Sequence, residues 1–547
     1  MLRQIIPQLA NYFYSEVPRS ILANFILLLI FIYLCRKPLG QFFKNISRNT
    51  WLWISLIFVF GLLVRLFISS HSFLTIFDEA EYMETATNLS SNFQQGVYVY
   101  PRSIGWPFIL AVVFKLFGPS YNAAFYTSSA LGALTVFNIF LLALALSKKE
   151  NVAIWSAFLF SVLPLHIKWS GSAETNVPSL FFITLGLFFC ALYFRNPDPK
   201  QAQGWLSWLV LIGLSFASQF RPENYALFGV FLIGLLIFAP SPLRKFKLDL
   251  VWPLFLALIV TLPNLFVVLN FQISADWIFR DSSGVLSGSN WSLENLINNS
   301  LNYGKYFFTT YHSFIFSILY FGGAVYLFLK KRKIFFFLMG WFLLFYFIYF
   351  SSWLQTLGAK SRIFLTFYPI LAISAAFFID FISQWFKFKK LKIIWAINLI
   401  IIFLTITPYY IENLINKDRE GLAIMGKAEL AILELAKNKV PSDCTVVANL
   451  PVIFVTTGLK AVDFKHLEDY SYNSRCLLFF DDFTCYQRQS GWPEHHENCE
   501  KIKKYYYITP FLTHSERDFP YILGFYRILG PKNLIDMPNG NIELKSI

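Results

Sequence analysis

The sequence predicts a polytopic α-helical membrane protein of about twelve transmembrane helices, followed by a smaller α/β or α+β domain outside the membrane. Composition is the first observation: of 547 residues, 56% are hydrophobic and 14% charged, against roughly 25% charged in soluble domains. Apolar runs long enough to cross a hydrocarbon core of about 30 Å recur from Ser20 to Tyr409. Beyond Tyr409 the hydrophobicity falls and the period of the pattern changes, which marks a separate tail.

The expected spans lie near 20–35, 51–70, 122–146, 151–169, 179–194, 205–219, 225–239, 250–270, 312–329, 334–352, 363–384 and 393–409. The N-terminal apolar stretch Ile21–Leu34 ends in Cys35-Arg36-Lys37-Pro38, without a small-x-small cleavage pattern, so a retained anchor is expected. Three parts follow: an anchor and basic cytoplasmic link (1–50), a membrane body (51–410) and a C-terminal domain (411–547).

Basic residues alternate between connections. Arg36, Lys37, Lys44 and Arg48; Lys148 and Lys149; Arg195 and Lys200; Arg244, Lys245 and Lys247; Lys330 to Lys333; and Lys387, Lys389, Lys390 and Lys392 all fall on one side. The positive-inside rule makes that side cytoplasmic and sends the tail outward. The formal net charge of +14 is thereby an orientation signal, and no nucleic-acid stripe is needed to account for it. Cysteine agrees: Cys444, Cys476, Cys485 and Cys499 all lie in the tail, an even set suited to disulfides in an oxidising compartment, with three pairings open. Zinc on Cys485, His495, His496 and Cys499 is disfavoured by their spacing. Within the tail, a helix is expected from Leu422 to Lys437 and strands at 445–449, 476–480, 505–508 and 525–529.

Charges that are not anchors collect in the outward connections: Asp78, Glu79, Glu174, Arg221, Glu223, Lys360 and Arg362. Asp78 and Glu79 follow a span and open an amphipathic segment. Asp78 with Glu81 reads either as a capping box or as a general base held at the membrane surface. Arg221-Pro222-Glu223 is a stiff corner between spans, where the arginine suits a lipid phosphate or an ion pair with Glu223. Arg362 lies on the side where basic residues are disfavoured and calls for an anionic partner. Lys360 either joins it or caps the span. Glu174 would orient a basic group or bind a sugar hydroxyl, or simply start a helix, and neighbouring His166 reads as an interfacial packing residue. Trp106–Phe117 is too short to span and reads as re-entrant or interfacial. The Ser- and Asn-rich excursion 271–311 reads as a cap over a lipid-facing groove. No phosphate-cradling glycine loop or hydrolase elbow occurs in a suitable context.

These residues, in this order, resemble the GT-C superfamily of membrane glycosyltransferases, in the branch of the protein O-mannosyltransferases and aminoarabinose transferases. The likeness is carried by Phe77-Asp78-Glu79-Ala80-Glu81-Tyr82, Arg102 to Phe117, Leu131-Gly132-Ala133-Leu134-Thr135, Ala173-Glu174-Thr175, Arg221-Pro222-Glu223, Arg362 before Tyr368-Pro369, and Val446 to Val462. The stretch 97–101 is less proline-rich than is usual there, and the N-terminal anchor is an addition. The resemblance implies a GT-C-like body that moves a sugar from a polyprenyl-phosphate donor to a hydroxyl acceptor (glycan, lipid or protein) with inversion. Asp78 would be the base, with Glu79 beside it. Arg221, Lys360 and Arg362 would hold the donor phosphate, and Glu174, Glu223 and Arg102 would orient groups or meet the acceptor. No metal ligand is assigned, and a divalent ion is left open. The expected location is a bacterial plasma membrane, with site and tail on the periplasmic side. A lipid-linked sugar flippase would instead place charges at mid-membrane or on both faces. An O-antigen ligase-like enzyme would rest on a large outward loop, and a catalytically dead scaffold is a further alternative.

Overall fold

A computed structural model describes residues 12–13, 15–91, 103–195, 203–238, 248–283, 292–309, 311–351, 361–386, 388–415, 422–467, 476–486, 493–515 and 521–532. Its helices are α1 Val17–Leu34, α2 Arg36–Lys44, α3 Arg48–Ile68, α4 Ile76–Ser91, α5 Gly105–Phe117, α6 Tyr121–Ser147, α7 Glu150–Ser161, α8 Pro164–Ser170, α9 Asn176–Arg195, α10 Gln203–Ser218, α11 Ala226–Phe238, α12 Leu248–Ser283, α13 Leu293–Thr309, α14 Phe314–Lys330, α15 Arg332–Ser351, α16 Tyr368–Trp385 and α17 Lys389–Ile415. Among the described residues eight helices are long and apolar enough to cross a membrane, nine if the bent pair α7–α8 is one span. The other three expected spans coincide with the shorter apolar stretches Gly204–Ser218, Pro222–Phe238 and Phe314–Lys330, so length separates the counts, not position.

The sharpest departure from expectation is at 151–169, where a single straight span gives way to two helices meeting at 61°. Pro164 lacks the N–H that would continue the ladder, and the chain stops at Val162–Leu163 before restarting. Another is at α4, which starts at Ile76. Asp78 therefore sits inside the first turn and not at the cap, and the expected capping box is replaced by Glu79 Oε2 accepting from Leu74 N at 3.0 Å. The excursion 271–311 is largely helical, formed by the end of α12 and by α13. Asn299 on α13 donates to Phe350 O (2.8 Å), and Ser300 bonds Tyr346. Leu293, Ile297 and Leu301, spaced four apart, remain exposed. This helix turns its polar side to the protein and its apolar side outward, as an interfacial helix does.

Aromatic side chains interlock within the membrane body, alongside a larger number of buried Leu, Ile, Val and Ala. Phe182, Phe216 and Phe220 interlock with centroid separations of 4.5–5.6 Å, and Trp106, Trp169, Trp341 and Tyr368 are fully buried. A Cβ on Gly105 would lie 2.6 Å from the Phe220 ring, so only glycine lets α5 close on the end of α10.

The tail comprises α18 Leu422–Lys439, α19 Pro493–Tyr505 and a five-stranded sheet of order β2-β1-β3-β5-β4. The strands are β1 Thr445–Ala448, β2 Lys460–Asp463, β3 Leu477–Asp481, β4 Tyr506–Ser515 and β5 Ile522–Pro531. β1 is parallel to β2 and β3, whereas β5 is antiparallel to β3 and β4. Strand β2 and helix α19 were not anticipated; β2 is four residues long and only partly buried, too short for a period to register. The disulfides pair Cys444 with Cys476 and Cys485 with Cys499. The tail rests on the segment that leads to α4. A Cβ on Gly426 would overlap the Phe73 carbonyl, and the Tyr121 hydroxyl donates to Ile453 O.

Candidate active site

Four connections at one end of the helix bundle converge on Arg362. It opens a short 3-10 segment, Ser361–Phe367, that runs into α16. Its guanidinium donates to Asp78 Oδ2 at 2.9 Å and to Glu174 Oε1, and it approaches Thr75 Oγ1 at 3.5 Å. Thr75 in turn donates to the same Glu174 oxygen. Asp78 comes from the first turn of α4, while Glu174 comes from the turn after α8. Asp78 and Glu174 thus share one guanidinium that lies 284 and 188 positions further along the chain.

Each partner is held from behind. The Glu174 turn is pinned by Trp106 Nε1 donating to Ala173 O (2.6 Å) and by Thr175 Oγ1 donating to Phe220 O (3.1 Å). Trp169 Nε1 reaches Ser361 Oγ at 3.3 Å, and Asn176 Nδ2 reaches the Arg362 carbonyl at 3.4 Å. Arg221 grips Glu223 in a fork of 3.2 and 2.9 Å, and it lies within electrostatic reach of Arg362, Tyr82 and Tyr349. The two arginines therefore face one region.

Charge is nearly balanced there. Burial, then the neighbouring charges of Glu174 and Asp78, push the Glu79 carboxyl well above the usual carboxylate range, against the pull of the Leu74 and Thr75 N–H groups. Glu79 Oε1 is buried without a hydrogen-bond partner, consistent with a neutral acid. Glu223 is driven up by burial but held below its ordinary range by Arg221. The remaining carboxylates, Asp78, Glu174 and Glu223, oppose Arg221 and Arg362.

Of the residues singled out in the sequence, Asp78, Glu79, Glu174, Arg221, Glu223 and Arg362 come together here. Arg102 and Lys360 lie outside the described residues. Arg221 and Arg362 are each already paired with carboxylates, so an incoming anion must compete for them. Thr75, Tyr82, Tyr349 and the pinning indoles of Trp106 and Trp169 were missed. Tyr82 stood inside the acidic motif, three and four residues from Glu79 and Asp78, and helical spacing could have found it. Nothing local distinguishes Tyr349 or Thr75. Among the described residues, the His, Cys, Asp and Glu set spaced for one ion is Asp481, Cys485 and Cys499, and both cysteines are spent in a disulfide.

Residues 101–266 match a family model described as dolichyl-phosphate-mannose-protein mannosyltransferase. An uncharacterized protein of Aquifex aeolicus is 30% identical over 178 residues, 31% of this chain, and the chain spans 35% of that relative's length. The fold resembles ArnT from Cupriavidus metallidurans bound to undecaprenyl phosphate, with TM-score 0.54, 12% identity, and 88% of this chain and 98% of that one covered. It also resembles the Archaeoglobus fulgidus oligosaccharyltransferase tethered with an acceptor peptide, with TM-score 0.54, 11% identity, and 89% and 74% covered. The likeness to these solved structures is one of fold, and the match to the mannosyltransferase family model is confined to residues 101–266.

Proposed function

We propose that this protein transfers a sugar from a polyprenyl-phosphate donor to a hydroxyl acceptor, at the outer face of a bacterial plasma membrane. The observation that carries the reading is the shared guanidinium: Arg362 holds both Asp78 and Glu174, joining a candidate base to a candidate phosphate ligand. Undecaprenyl phosphate bound to the ArnT fold and the mannosyltransferase match over 101–266 support the donor class. The arrangement suggests an exchange. The donor phosphate takes the guanidinium of Arg362, with Arg221 beside it, and loosens the grip on Asp78. The carboxylate so released is more basic and accepts the acceptor proton. The acceptor oxygen bonds to the anomeric carbon as the bond from that carbon to the phosphate oxygen breaks, and the arginines stabilise the charge gained by the departing lipid phosphate. One displacement inverts the anomeric centre. Glu79, buried and pushed toward its neutral form, stays out of the proton transfer and holds the loop through the bond it accepts from Leu74 N, and Glu174 returns Arg362 to its resting pair. Lys360 and Arg102 are assigned to the donor phosphate and the acceptor side respectively, with Glu223 as the orienting partner of Arg221.

The test is transfer from a radiolabelled panel of polyprenyl-phosphate sugars into membranes, comparing wild type with Asp78→Asn at equal expression. A base worth the usual ~10²–10⁴ in rate predicts transfer by wild type and near-silence in the variant. Equal rates would remove Asp78 from the chemistry. No transfer with any donor would favour a flippase or scaffold.

A further inference from the structure

We propose that Arg65 is a positioning residue that keeps the loops bearing Asp78 and Glu174 in register, an inference that rests on the transfer reading above. Arg65 lies in the last turn of α3 and is fully buried. Among the described residues it has no carboxylate partner. A guanidinium buried in a membrane body is costly, and its neighbours show what the cost secures. Nη1 donates to Gly61 O (2.8 Å) and Ser161 O (3.3 Å), and Nη2 donates to His166 Nδ1 (2.9 Å). Ser161 is the last residue of α7, at the bend where a proline interrupts the ladder and leaves carbonyls unclaimed. His166 lies in α8, on the far side of that bend. A guanidinium only donates, so His166 Nδ1 accepts and its proton sits on Nε2. One side chain thus ties α3 to both arms of the broken helix.

Further contacts continue the same seam toward the site. Ser69 Oγ donates to Ile167 O at 2.6 Å. A Cβ on Gly171 would fall 2.6 Å from Ser69 Cβ and 2.9 Å from His71 N, so the two backbones approach as only glycine permits. His71 Nε2 and Ser129 Oγ are 3.1 Å apart, and Ser129 donates to Ser170 O at 2.9 Å. Gly132 of α6 closes the back: a Cβ there would lie 2.5 Å from Ser170 Oγ and 3.2 Å from Arg65 Nε. From this seam one chain runs on to Asp78 and the other to Glu174, and the two meet again on Arg362. A slip between α3 and α8 therefore becomes a change in the separation of the two carboxylates, although Arg65, Ser69 and His166 are not themselves hydrogen-bond partners of Arg362.

The experiment compares full-length wild type, Arg65→Met and the milder Ser69→Ala by hydrogen exchange and by transfer kinetics in detergent. Displacements near 1 Å at a reacting centre cost about 10²-fold, so Arg65→Met is expected to lower kcat by about 30-fold and to leave the donor KM within about 2-fold. Amide protection should fall together over 72–79 and 164–175. Ser69→Ala should show the same pattern at smaller amplitude, and it carries the test if Arg65→Met misfolds. Exchange that rises only over 57–68, or a donor KM that rises as far as kcat falls, would overturn the proposal. Absence of transfer by wild type would sink the transfer reading, while the exchange pattern alone still decides whether Arg65 braces both loops.

Discussion

Replacing Arg362 with Met separates what this guanidinium does for the fold from what it does for transfer. The side chain and Asp78 are each 18% exposed, and Glu174 is 2% exposed. Removing the cation leaves two carboxylates facing each other beside Glu79, with the nearly buried Glu174 uncompensated. Breaking a buried pair costs roughly 3–5 kcal/mol, and the partial exposure of Asp78 argues for the lower figure, about 3. Thermal unfolding in detergent should therefore shift downward by several degrees. Adding Glu174→Gln removes the stranded charge and should recover most of that loss. Transfer behaves differently: if Arg362 contacts the donor phosphate, its removal costs about 10²–10³ in kcat, the usual scale for an oxyanion donor, and the second substitution restores nothing. The assay is sugar transfer at matched folded protein, with the melting curve measured on the same preparation. Recovery of both stability and transfer in the double variant would refute the phosphate role and reduce Arg362 to a structural cation.

Further expectations follow from the carboxyl groups. Glu79→Gln should cost less than about 1 kcal/mol in thermal stability, since an amide mimics a neutral acid that already accepts from Leu74 N; a loss of several kcal/mol would mean that Glu79 is ionised. In the tail, Asp482 is pushed up to about 6 by burial and by the neighbouring Asp481, against the N–H groups of Thr484 and Cys485 and the Thr484 hydroxyl. Burial and the charges of Asp482 and Asp481 also raise Glu429. The folded state then binds more protons than the unfolded one, so this contribution is whole below about pH 4 and is lost as pH rises through about 6. For Asp482 it amounts to at most about 3 kcal/mol. Unfolding of the tail followed by hydrogen exchange over 422–467 and 476–486 should show stability falling over that window, with a flatter profile in Asp482→Asn. An unchanged profile in that variant would assign the dependence elsewhere.

Membrane residence, the positions of the apolar helices and the charged residues that gather around Arg362 were legible in the sequence because each rests on local statistics. A run of apolar residues must be helical in lipid whatever its neighbours do. Charges such as Asp78, Glu174 and Arg362 stand out because the membrane makes them costly. The break at Pro164 was also written locally, yet apolar residues on both sides hid it from a reading by hydropathy. Arg65, a charge within the expected span 51–70, was not singled out in the sequence, and its meaning depends on the Ser161 carbonyl and on His166, about a hundred residues away. The joining of Asp78 and Glu174 through one guanidinium has the same character. So does the choice among the three cystine pairings, which sheet register made by setting Thr445 opposite Leu477 and so bringing Cys444 to Cys476. Hydropathy and charge act residue by residue and can be read along a chain. Pairing between distant residues is decided only when helix packing sets the distances.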